Sequence, residues 1–144
     1  MAYNNQRNNR KNNNYQQETS WKKIEEPLHI HYKEKSRLYL PEGIAHEEAK
    51  NFNRIASHQL RKILNQSKVC RDEAMYDFSS AKNHLFSLLP LAAYNAGRDK
   101  NLTVLYKFLV KHLNEKSIQS EEDIKVFDEL FTSIIAYHKF EGGK

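Results

Sequence analysis

Seven histidines and one run of unopposed cations are the residues of this 144-residue chain whose types could carry chemistry. The histidines, His29, His31, His46, His58, His84, His112 and His138, are scattered without a paired-ligand motif. His46-Glu47-Glu48 lacks the second histidine of a zinc HExxH site. No GxxxxGK[ST] loop, G-x-S-x-G elbow or Rossmann fingerprint is present. An imidazole titrates near neutrality, so His58 or His138 could act as a general base in RNA cleavage, although neither has a partner visible in sequence to orient it. His29 and His31 would share a face of a strand, but no carboxylate or third histidine sits beside them to complete a metal site. The reading is a chain without catalytic residues, metal or cofactor.

The cations form a clearer pattern. Residues 49–71 contain Lys50, Arg54, Arg61, Lys62, Lys68 and Arg71 and no Asp or Glu. At helical spacing Arg54, His58, Arg61 and Lys68 fall near one another on a face away from the apolar stripe, with Lys62 beside them. Tyr94 and Arg98 lie one turn apart on another helix. Basic side chains on rigid helices contact phosphates with no demand on base sequence. A solvated surface stripe would look the same, and exposed Tyr94, Tyr137 and His138 could equally serve protein contacts.

Composition narrows the class. The net charge is +5, of which residues 1–40 carry +4 and residues 41–144 carry +1. A basic leading segment beside a nearly neutral body fits a polyanionic partner through Coulomb attraction and counterion release. The single Cys70 excludes an intrachain disulfide and any multi-thiolate zinc site, and its place on a helical stripe marks it as a small buried thiol. No apolar run approaches the roughly 18 residues a membrane span needs, and no apolar signal segment opens the chain. The expected compartment is the cytosol, with no membrane partner.

The elements that must position these residues are helical. Residues 1–20, with seven asparagines between Asn4 and Asn14, offer little apolar area and read as a disordered basic tail. Residues 21–42 read as an extended arm, with Leu28, Ile30 and Tyr32 alternating as on a strand and Pro27 and Pro41 interrupting. Residues 43–144 read as a bundle of about five helices. The first covers Ile44 to Asn53 with Ile44, Ala45, Ala49 and Phe52 inward. The second runs from about Ser57, as N-cap, to Glu73, with Leu60, Ile63, Leu64, Ser67 and Cys70 inward. The stretch Ser80–Arg98 is the one around which the chain is expected to organise, capped by Asp77, Ser79 or Ser80 and kinked or split at Pro90. Gly97 is expected to end it or to admit a partner's backbone. A further helix opens at Asn101 or Thr103, and the last opens at a Ser120–Asp123 capping box and stops near Gly142.

Three short segments carry a resemblance. Ser57-His-Gln-Leu-Arg-Lys-Ile-Leu64 resembles the helix opening of the small subunit of type III-A CRISPR interference (Csm) complexes, the Csm2 family, where a polar residue, Gln, a hydrophobe and Arg precede an apolar run. Leu89-Pro-Leu-Ala-Ala-Tyr-Asn-Ala-Gly-Arg98 is similar to that family's segment ending in Tyr-x-x-Gly-Arg, and Phe131-Thr-Ser-Ile-Ile-Ala-Tyr-His-Lys139 to its C-terminal signature. The likeness covers roughly residues 43–143. It implies a small helical bundle in antiviral defence, without catalytic activity of its own. Copies of the subunit would stack as the inner filament of a ribonucleoprotein and support guide RNA and target RNA through backbone contacts. The partners implied are those RNAs, the other subunits and further copies of the chain. Position in the three motifs favours Arg61 with Lys62, Arg98, and Lys139 with His138 as RNA contacts. It makes Tyr94 and Tyr137 structural or partner-facing. A protein–protein adaptor that never touches RNA is the alternative reading, and a histidine-dependent ribonuclease a further one.

Overall fold

Apolar periodicity places most helices correctly, and the departures from expectation lie at their ends and in the arm. The structure, a computed structural model, describes residues 22–143. The expected tail of residues 1–20, and Trp21 at the start of the arm, lie outside the described residues. In order come α1 (Leu28–His31), α2 (Lys35–Tyr39), α3 (Ile44–Asn51), α4 (Ser57–Ala74), α5 (Phe78–Phe86), α6 (Leu88–Arg98), a 3-10 turn (Lys100–Leu102), α7 (Thr103–His112) and α8 (Glu121–Phe140). The described residues form an all-α compact bundle with no strand. It has more helices than the expected five because the arm contributes two short ones and Ser80–Arg98 divides.

Helix α8, rather than the Ser80–Arg98 stretch, is the element the others pack around. It touches α1, α2, α3 and α4, whereas α6 packs mainly on α7. Ser120 and Asp123 form the expected capping box at its start, and Glu121, Glu122 and Asp123 suit the positive end of the helix dipole. Ile124, Phe127, Leu130, Phe131 and Ile134 are all fully buried. Val126 and Asp128, outside that stripe, are buried too, because neighbours cover more than one side of the helix. Phe127 and Phe131 continue into an aromatic cluster with Phe108 and Phe52, with Phe52 meeting Phe108 edge-on at 5.5 Å.

The strand-like alternation of Leu28, Ile30 and Tyr32 is corrected to helix. Leu28 and Tyr32, one turn apart, are buried, while Ile30 is exposed. Ile24 N–H donates to Lys111 O and Leu28 N–H to Ser117 O, each at 2.9 Å, so the segment is tied to the end of α7 and the loop after it. Ile24, Leu28, Tyr32 and Leu38 belong to the same apolar core as the helices. Ile44 is also corrected, from inward to exposed.

Two boundaries have physical reasons. Ser57 is the first residue of α4 rather than its cap, Ala56 taking that position, and the buried Ser57 hydroxyl has no hydrogen-bond partner. The division of Ser80–Arg98 falls at Ser87, three residues before Pro90. A proline ring clashes with the carbonyl four residues earlier, here Phe86, the last residue of α5. Pro90 then occupies the first turn of α6, where its missing N–H costs nothing. Asp77 caps α5 by accepting from Ser80 N–H.

Candidate nucleic-acid interface

Helix α4 lies between α8 on one flank and α5 on the other, and this sorts its basic residues. On the α8 side, Asp128 is buried, with its carboxylate accepting from Ser67 Oγ at 3.1 Å and Arg71 at 2.8 Å. Lys68 Nζ stands 3.6 Å from the same carboxylate. Asp128 offsets one of these two charges: Arg71 is bonded to it, while Lys68, half exposed, is held to it more loosely. Arg54, His58, Arg61 and Lys62 are exposed, as are Arg98 and Lys139. Among the described residues the ion pairs of lysine and arginine involve other cations, so Arg54, Arg61, Lys62, Arg98 and Lys139 keep their charge for solvent or a ligand.

Lys62 and Arg98 come together. They stand on α4 and α6 along a groove of about 360 Å³, with Gln59 and Asn95 beside them and Ile63, Leu91, Leu102 and Leu105 as its apolar lining. A second hollow shares Lys62, Ile63 and Leu91 and extends the groove past Gln66 toward His84. The Arg98 guanidinium lies over the Tyr94 ring at 5.8 Å, and Tyr94 is 63% exposed. Gly97 lies one residue inside the end of α6. A Cβ there would have nothing within 4 Å.

The histidines behave differently from the cations. His138 is buried, and its Nε2–H is shared between the carbonyls of Phe52 at 3.2 Å and Ile55 at 2.9 Å. Gly143 closes against the same ring. Burial takes His138 off the contact surface and out of reach of a substrate. Neighbouring Tyr137 donates to Tyr39 O at 2.6 Å and stacks on His46 at 4.3 Å, a structural position. His46 Nδ1 accepts from Glu42 N–H, and its Nε2–H donates to Glu141. His29 donates to Asp123 through both backbone and ring, and His31 pairs with Glu26, so the two do not converge. His112 Nδ1–H donates to Phe108 O and its Nε2 accepts from Tyr32 O–H, a neutral imidazole whose pKa burial drives down to about 3. Burial pushes the Cys70 thiol up to about 12, with Glu73 adding to it, so it is no nucleophile at neutral pH. Among the described residues no group of three or more His, Cys, Asp or Glu is placed to hold a metal ion. No described helix is long and apolar enough to cross a membrane.

Sequence reasoning missed Gln59, Asn95 and Asp128. Gln59, Lys62 and Gln66 stand three and seven residues apart, so the groove side of α4 was readable from spacing. Asp128 inside the apolar run of α8 signalled a buried partner, but nothing local named Lys68 and Arg71 as that partner.

A family model, Csm2 Type III-A, matches residues 35–144. The match begins within the arm, earlier than the likeness read from the three segments. No curated protein and no solved structure matches the chain.

Proposed function

This chain belongs to the Csm2 Type III-A family, and from that premise we propose that it is the non-catalytic small subunit of a type III-A RNA-guided effector complex. In this reading copies stack as an inner filament and support guide and target RNA through their backbones, while cleavage belongs to other subunits. The observation that carries it is the set of exposed cations without acidic partners among the described residues, Arg54, Arg61 and Lys62 on and before α4, with Arg98 across the groove. Phosphates of an RNA of arbitrary sequence ask for fixed cations and no base-edge chemistry, which is what this face offers. His58 and Lys139 are exposed and add to the cations available for RNA, Lys68 less because Asp128 holds it. Modest affinity of one copy would multiply along a shared strand.

Replacing Arg61, Lys62 and Arg98 together with Ala is expected to weaken binding of single-stranded RNA about equally across sequences and to reduce the salt slope by about 0.7 per lost contact. Unchanged binding and slope in that variant would overturn the reading. A second reading, a protein adaptor, draws on Leu91, Tyr94 and Tyr76, which are 53%, 63% and 89% exposed. It predicts capture of the other complex subunits in a pull-down from which RNA has been digested, with no RNA binding by the purified chain.

A further inference from the structure

The groove between α4 and α6 has more chemistry than a phosphate contact needs. A backbone tether requires only Lys62 and Arg98, yet behind them lie an apolar floor and two facing carboxamides. Its volume of about 360 Å³ stands at the small end of the roughly 300–1,000 Å³ typical of small-molecule clefts. That is room for a single nucleotide and not for a duplex.

We propose that this groove takes one unstacked nucleotide of a bound RNA, its base lying against Ile63 and Leu91 and its phosphate between Lys62 and Arg98. The inference rests on the RNA-binding reading and adds a subsite to it. A base that leaves its stack loses contact on both faces, and the apolar side chains of the floor replace one of them. Leu91, 53% exposed and part of the lining, is placed to do so. Gln59 and Asn95 each carry two N–H donors and one carbonyl acceptor, so they meet the mixed donor–acceptor edge of any base. This tolerance agrees with sequence-independent support. Asp99, the carboxylate of the wall, accepts from Asn101 N–H at 3.0 Å. Asp99 is itself exposed, and its charge repels a phosphate from its side of the groove, leaving the anion to Lys62 and Arg98. The Arg98 guanidinium, lying over Tyr94, presents a flat cation there.

The test uses the full chain and a short single-stranded RNA in which 2-aminopurine sits between adenosines, where stacking quenches its emission. Binding is followed by anisotropy and base environment by 2-aminopurine emission. The expected result is saturable binding with a several-fold change in emission. In Leu91→Ser and in Asn95→Ala the emission change is lost, while affinity falls only a few-fold and the salt slope stays as in the wild type. Both positions are exposed, and a thermal melt checks that the variants fold. Saturable binding with no emission change, or the full change retained in both variants, overturns the subsite and leaves the RNA-binding reading standing. Absence of any binding to RNA overturns both.

Discussion

His112 shows how a residue suited to chemistry is used here for structure. Burial holds it neutral with a pKa of about 3, while Tyr32 and Phe108 satisfy its two nitrogens. In the unfolded chain an imidazole takes its proton at about 6.5. Between these values the unfolded state binds a proton that the native state refuses. Stability from this residue is therefore complete above about pH 6.5 and is lost progressively as pH drops toward the folded value. Denaturant midpoints measured from pH 7 to 4 should fall accordingly, and His112→Gln should flatten the curve. Carboxylates add to the loss at lower pH. Burial by itself would raise the pKa of Asp123, but His29 and the Gln119 N–H together hold it below the usual range. Its contribution is present above the ordinary carboxylate value and is lost as pH falls through the lowered one. Asp123→Ala, which strands the N–H groups of His29, Gln119 and Ser120, should cost about 2–3 kcal/mol. Urea unfolding at pH 7 measures it.

At the scale of elements, spacing reveals which face of a helix is buried but not what lies across from it. Leu60, Ile63, Ser67 and Cys70 on α4 were legible as a core stripe, as were the capping box of α8 and the break near Pro90. The two flanks of α4 were not, because their difference is made by Asp128 on α8 and by α6, remote in sequence. The arm was misread for a related reason. Its helices have four and five residues, too short to show a helical period, and their burial comes from α8 and the loop before it. Gly43 illustrates the tightness of that junction. A Cβ there would lie 2.3 Å from Arg37 O and 2.8 Å from Leu40 O, both backbone, so Gly43→Ala should lower Tm measurably. Gly97 is the contrast, with open space around it. Gly97→Ala should stabilise the isolated chain by about 0.5 kcal/mol, read by thermal unfolding. If the assembled complex then fails to form, a partner approaches α6 at that point.

Over the whole molecule, charge divides between pairs that hold the bundle together and cations that face outward. Lys35 with Glu129, Lys68 and Arg71 with Asp128, and Lys82 with Glu115 belong to the first group. Net charge and the acid-free run made the second group visible in sequence, but not its membership. Among the described residues the core begins at Ile24. The Asn-rich residues 1–20 offer little apolar area, so their removal should leave the helical signal and the cooperativity of melting intact, by far-UV circular dichroism, while lowering affinity for polyanions. Outward cations are the groups that would meet RNA, and Lys62 and Lys68, both on α4, separate their effect from general basicity. The measurement is binding of labelled single-stranded RNA to the wild type, Lys62→Ala and Lys68→Ala across a salt series. Sequence-blind binding without cleavage is predicted, with the log–log slope shallower by about 0.7 for Lys62→Ala and changed by less for Lys68→Ala, whose charge Asp128 offsets in part. Equal effects of the two substitutions, or binding indifferent to salt, would contradict the account.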